Sequence, residues 1–187
     1  MRILLLALLA GASALPAFAQ GPKTNAAPET KTIRDAATGK ETPGLTFPAS
    51  AAALVKAPFV LTNDYLYQPD IKTELNEDGG KAIYNFTITN ADDYIVHAAV
   101  NAPGEDSNSF FLNIDAQPED PLTIWDIDVT SGFEDRVVSW RGDGAADGDQ
   151  FSPKRFKLSP GKHQLIIIGR EPDTQLKSLS IRPAPPK

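Results

Sequence analysis

Two histidines, no cysteine and a scatter of acidic pairs limit the reactive chemistry open to this 187-residue chain. Nucleophilic catalysis needs an activated Ser, Cys or Lys beside a base. Here His97 and His163 each stand in an apolar, strand-like run, there is no thiol, and no G-x-S-x-G elbow occurs. Glycoside cleavage needs two carboxylates set across a cleft. Glu105-Asp106, Glu119-Asp120 and Glu134-Asp135 fall in expected loops, where solvation accounts for them. No catalytic residue is assigned. Between Arg141 and Asp149, Asp143, Asp147 and Asp149 stand among glycines, hard oxygen donors that could wrap a calcium ion. Their spacing departs from the D-x-D-x-D-G loop, so a solvated loop is preferred and no metal ligand or cofactor is assigned. The Arg141-Gly142-Asp143 adhesion tripeptide is short enough to be coincidence.

What remains is stacking chemistry. An aromatic ring on a loop can receive the apolar face of a sugar while a few polar groups fix its hydroxyls. Trp125 and Trp140 are the only tryptophans, both near expected strand ends in the longest irregular part of the chain. Each also has a plainer reading. Trp140 follows Val137-Val138-Ser139, where a large aromatic is more often core, and Trp125 sits between Ile124 and Ile127, which leaves core and platform equally open. Tyr65 and Tyr67 alternate with Leu66 and so share a face, inner or outer.

The elements that would position these residues read as strands. Phe156 and Leu158 alternate with lysines, Ser159-Pro160-Gly161-Lys162 supplies a turn, and His163–Ile168 is a short β-branched run bounded by Gly169. Arg170-Glu171-Pro172-Asp173 breaks the pattern, and Leu176, Leu179 and Ile181 resume it. Further strands are expected at 59–67, at 82–89 with Ala82, Tyr84, Phe86 and Ile88 on one face, and at 94–100 with Tyr94, Val96, Ala98 and Val100 inward. In the next, Phe110, Leu112 and Ile114 point inward, leaving Phe111, Asn113 and Asp115 outward. No helical period with caps follows residue 20. The class is all-β.

Composition frames that domain. Arg2, the apolar run Ile3–Leu9 and Ala17-Phe18-Ala19 form a secretory signal over 1–19, too short for a membrane span. Its removal leaves 17 basic residues against 24 acidic, a net charge of −7, which argues against a nucleic-acid partner. Without cysteine the exported chain has neither disulfides nor a lipid anchor and must stand on its core. Residues 20–52, poor in large apolar side chains, read as a flexible Pro/Thr/Ala-rich leader. A single sandwich domain spans 53–183, and 184–187 is a proline-rich tail.

The order GKAIYNFTI, DDYIVHAAVNAP, SNSFFLNID, IWDI, VVSWRG, FKLSPGKHQLIIIGRE resembles the galactose-binding-like sandwich of carbohydrate-binding modules, near families 6 and 35. The strongest points are the Ser-Phe-Phe strand ending in Asp115 and the series Gly161, His163, Gly169-Arg170-Glu171. The resemblance implies a jelly-roll β-sandwich that binds a polysaccharide or oligosaccharide through loops, without catalysis, in a secreted or periplasmic protein. It also implies a cleft in which Tyr65 or Tyr67 faces Trp125 or Trp140, with Asp173, Thr174 or Gln175 of the last loop adding a polar group. There are departures. No enzyme accompanies the domain, Lys177 stands where relatives place an acid, and neither Ala57-Pro58-Phe59-Val60 nor Ile181-Arg182-Pro183 offers the carboxylate of the family's structural calcium site. That site is expected to be missing. Two alternatives stay open: a structural or protein-interaction domain of the cell envelope, and a weak hydrolase.

Overall fold

The computed structural model describes residues 29–34, 41–70, 72–75, 79–141 and 152–186, without the side chains of 31–34 and 41–43. The expected signal and Asp143, Asp147 and Asp149 lie outside the described residues. The strands are β1 (Glu29–Arg34), β2 (Glu41–Pro48), β3 (Leu54–Lys56), β4 (Val60–Leu61), β5 (Leu66–Tyr67), β6 (Lys81–Ile88), β7 (Asp92–Asn101), β8 (Ser109–Ile114), β9 (Ile124–Asp126), β10 (Glu134–Val137), β11 (Phe156–Leu158), β12 (Gly161–Gly169) and β13 (Gln175–Pro183). One 3-10 turn, Ala49–Ala51, is the only helical element among the described residues. All pairings among the described strands are antiparallel, and they build two sheets.

In the larger sheet, β13 is the spine. Its Ser178–Ile181 stretch pairs with β2 and its Gln175–Leu176 stretch with β5 on one side, while β7 runs along the other. Beyond β7 lie β10 and β11, and β1 and β4 extend β2 and β5. The smaller sheet has the order β3-β6-β12-β8-β9. Strict alternation explains how they pack: Tyr84 and Phe86 of β6, Val96 and Ala98 of β7, Leu165 and Ile167 of β12, and Leu179 and Ile181 of β13 all enter one core. Tyr84 is fully buried and donates its hydroxyl to the Ala49 carbonyl at 3.0 Å, and burial pushes its phenol well above the ordinary range.

Four expectations need correction. The expected leader over 20–52 contains β1 and β2, and Phe47 is buried against Tyr84 and Phe86. A strand on β13's flank is held by backbone hydrogen bonds, so a few inward residues such as Leu45 and Phe47 suffice, and low apolar content misleads there. Residues 59–67 form the β4–β5 hairpin rather than one strand. Phe111 and Asn113 are buried although they face away from Phe110, because β8 is covered on both sides. Glu134-Asp135 lies in β10, not in a loop.

A buried polar clamp fixes the β5 end of the spine. Gln68 accepts from the Gly80 amide at 2.8 Å and donates to Thr73 at 3.2 Å, and Thr73 donates to the Gly169 carbonyl at 2.8 Å. A Cβ at Gly169 would sit 2.2 Å from Gln68 Oε1, so only glycine lets the end of β12 pass so close.

Candidate functional site

The outer face of the larger sheet carries the exposed aromatic side chains. Leu66 points into the core, so its neighbours Tyr65 and Tyr67 point away from it, both half-buried. Tyr65 is set by a turn in which Thr62 Oγ1 donates to the Tyr65 carbonyl at 2.9 Å and accepts from the Asp64 and Tyr65 amides. Its ring centroid lies 5.6 Å from Tyr67 and 5.7 Å from Phe133. Phe133 is 38% exposed and follows Gly132, whose φ of 108° belongs to the glycine region. Ser131 donates its amide to Glu134 Oε1 at 2.9 Å, and Thr130 exchanges bonds with Ala102, so this turn is anchored to the end of β7.

Polar groups stand beside the rings. Tyr67, Gln175 and Asn101 occupy one row across β5, β13 and β7. Asn101 Nδ2 donates to Gln175 Oε1 at 3.1 Å while its own Oδ1 accepts from Thr130 at 3.3 Å, which orients both amides. Lys177 closes the rim, 5.3 Å from the Phe133 ring and 3.6 Å from Asp64. Asp173 is exposed in the preceding loop with φ 58°, its amide bonded to the Gln68 carbonyl.

Past this row the same face continues as a shallow groove. Asp135 and Phe133 share one side of β10, and Asp135 registers with Ala99, which registers with Ser178. Thr46, His97, Ala99, Asp135, Ser178 and Ser180 line about 200 Å3 of open space. From the Asn101 row to the His97 row is about 13 Å at the usual rise of a strand. Rings at one end, amides beside them and small hydroxylated side chains beyond can stack one sugar face and bond hydroxyls along an extended ligand.

Neither tryptophan belongs to this face, and Tyr65 and Tyr67 do not face them. Trp125 is 1% exposed because it registers with the inward Phe110, and its ring lies 6.2 Å from that residue. Its indole donates to the Val137 carbonyl at 3.1 Å. Trp140 packs at the core margin, donates to the Leu112 carbonyl at 3.0 Å, meets Phe156 edge-on at 5.5 Å and carries Lys154 4.1 Å over its ring. Both are corrected from platform to structural residues. The residues missed from sequence are Phe133 and Asn101. A Ser-Gly-aromatic turn ahead of an alternating strand is the only local signal for Phe133.

On the other side of the same end is a charged cleft of about 450 Å3, lined by Glu105, Asp126, Asp128, Arg141, Arg170 and Glu171 among others. Arg141 forks onto Asp126 at 2.9 and 2.7 Å, and that pairing raises its pKa further. Glu171 is buried, which by itself raises its pKa, but bonds from Ser109, the Asn108 amide and Lys72, with the charge of Arg170, hold it below the ordinary range. Across the cleft Arg141 pairs with Asp126, and Arg170 and Lys72 pair with Glu171. Among the described residues no group of three His, Cys, Asp or Glu is placed to hold a metal ion. No described helix is long and apolar enough to cross a membrane.

No protein-family model and no curated protein match the chain. Solved structures do. A GH26-CBM35 β-(1,4)-mannanase from Podospora anserina matches with a TM-score of 0.50 at 12% identity over 77% of this chain. An exo-β-1,3-galactanase from Phanerochaete chrysosporium, solved with galactose, matches with 0.50 at 11% identity over 79%. This chain spans 28% and 31% of their respective lengths. A family 35 carbohydrate binding module from Clostridium thermocellum matches with 0.48 at 10% identity, over 75% of this chain and 98% of that one. At such identities the likeness to the mannanase and the galactanase is one of fold alone.

Proposed function

We propose that this protein binds a polysaccharide or oligosaccharide, without catalysis, across the outer face of its larger sheet, as a secreted or periplasmic protein. The observation that carries the reading is the packed trio Tyr65, Tyr67 and Phe133 beside the oriented amides of Asn101 and Gln175. Three rings on an open face are an apolar patch that water solvates poorly, and a sugar's C–H face covers such a patch while its hydroxyls reach the amides. Of the residues the sequence suggests, Tyr65, Tyr67 and Gln175 stand in this face and Asp173 stands at its rim. The fold, shared with proteins named for carbohydrate-binding modules and glycanases, is compatible with this use but does not choose it.

The test is a glycan-array and polysaccharide screen of the protein with Tyr67→Ala beside it, both shown folded by circular dichroism. Saturable binding that the variant loses supports the site. Binding that both retain moves the site elsewhere, and no binding to any glycan overturns the reading in favour of a protein partner in the cell envelope.

A further inference from the structure

The smaller sheet ends unevenly. β3 pairs with β6 only over Lys81–Ile83, so among the described residues Tyr84–Ile88 has no strand on that side. Backbone polar groups alternate in direction along a strand. Ile83 turns its carbonyl outward to the Ala53 amide at 2.7 Å, while Gly80 turns its own toward β12, where the Gly169 amide donates to it at 2.8 Å. Asn85 and Thr87 are in phase with Ile83, so their N–H and C=O groups aim off the sheet, and no described backbone group bonds them there. The usual devices that blunt an edge are missing. Asn85-Phe86-Thr87-Ile88 has no proline and no charge, and its register with β12 has no bulge.

The space beside this edge is one strand wide. β2 packs over β6, with the Phe47 ring 6.1 Å from Tyr84 and 6.2 Å from Phe86, and β1 carries the larger sheet one strand further. Thr30 of β1 and Thr87 line a concavity of about 260 Å3 together with Leu45, Ile88, Tyr94 and Ile181. A second concavity, of about 760 Å3, is lined by Leu45, Phe86, Thr87 and Lys162 among others. Leu45 and Thr87 belong to both, so the two adjoin along the edge. A strand laid against Asn85 and Thr87 would turn side chains two residues apart inward, one into each space. Neither space is lined by a carboxylate, and Lys162 stands exposed in the row of Thr87. Thr87 is short enough for Lys162 to reach across it to an acid on the added strand.

We propose that this edge takes one antiparallel strand from a partner polypeptide, an extended segment with apolar side chains at alternate positions and an acidic one between them that faces Lys162. A second copy is the wrong shape, because pairing β6 with β6 would bring the other β1 into the space that this β1 overhangs. The inference does not rest on the glycan reading, whose residues stand on the outer face of the other sheet.

The experiment uses the full protein and the peptide Ac-Thr-Val-Glu-Val-Thr-NH2. In the unliganded protein the Asn85 and Thr87 amides are expected to exchange at least about tenfold faster than those of Phe86 and Ile88, which face β12. Equal protection overturns the open edge. In an NMR titration the peptide is expected to shift the Asn85 and Thr87 amides saturably, and the same peptide N-methylated at Glu to bind about tenfold more weakly. Thr87→Pro removes only an outward amide, which an edge strand tolerates, and is expected to lose the peptide with its circular dichroism unchanged. If that variant does not fold, the N-methylated peptide decides. Lys162→Glu is expected to weaken binding about threefold, the scale of an exposed ion pair. A peptide that shifts neither amide, or binds equally well when N-methylated, overturns the proposal, and equal affinity in Lys162→Glu overturns its acidic partner. Self-association in sedimentation that Thr87→Pro abolishes overturns it in favour of a second copy.

Discussion

Two sets of aromatic side chains differ in what their surroundings have done with them. Trp125 and Trp140 have their indole N–H groups spent on the carbonyls of Val137 and Leu112, and their rings lie against Phe110, Phe156 or Lys154. Tyr65, Tyr67 and Phe133 pack chiefly on one another and remain on an outer face. Size does not separate the sets. Register does: Trp125 stands opposite an inward Phe110, whereas Tyr67 flanks the inward Leu66 and stands opposite the outer Gln175.

The comparison breaks if the tryptophans can be removed cheaply. Trp125→Ala is expected to cost about 3–5 kcal/mol, the usual price of deleting a large buried aromatic, read as a shift in the denaturant midpoint. An unfolded variant at room temperature agrees with this, and a loss under about 1 kcal/mol would contradict core placement. Next in size is Gly169→Ala, which forces a methyl to within 2.2 Å of Gln68 Oε1 and is expected to cost about 1–3 kcal/mol by the same melt. Because Gln68 adjoins β5, glycan affinity should fall with it.

Smaller effects sharpen the other half of the contrast. Tyr67→Ala and Phe133→Ala are each expected to weaken glycan binding about tenfold, roughly 1.4 kcal/mol, with a stability change below about 1 kcal/mol. Calorimetry and melting on the same sample separate the two readouts. Stability loss without affinity loss would make these rings structural as well.

The smallest effect is pH-dependent stability through His163. Burial disfavours its charged form, but the bonds to Asp115 at 2.6 Å and to the Ser159 carbonyl at 2.8 Å outweigh burial and raise its pKa above 6.5. A raised folded value means that its contribution is fully present below about pH 6.5 and is lost as pH rises through the folded value. Urea midpoints measured from pH 6 to 9 should decline for wild type and decline less for His163→Gln. Equal slopes would remove His163 as the cause.

Much of this architecture is legible in the sequence. The turn at Ser159–Lys162 and the strands over 82–89, 94–100, 163–168 and 176–181 follow from alternation and turn chemistry, and they stand within a residue or two of β6, β7, β12 and β13. The site was only half legible. Tyr65, Tyr67 and Gln175 stand on one face, but away from the tryptophans that residue type suggests as their partners, and Phe133 gives little signal because it stands alone in an irregular stretch.

The sequence by itself determined an all-β chain, its inward-facing strand residues, its acidic charge and its lack of thiols, because each is a property of residue types or of period-two spacing along one strand. Tertiary structure alone decided that β2 joins β13, that Trp125 is core, and that Phe133 reaches Tyr65. It also decided that His163 stands between two acceptors, the Asp115 carboxylate and the Ser159 carbonyl. Each of these depends on which strand lies beside which. Residues 65 and 133, or 115 and 163, are distant along the chain, and their chemistry exists only once the sheet sets them in neighbouring rows.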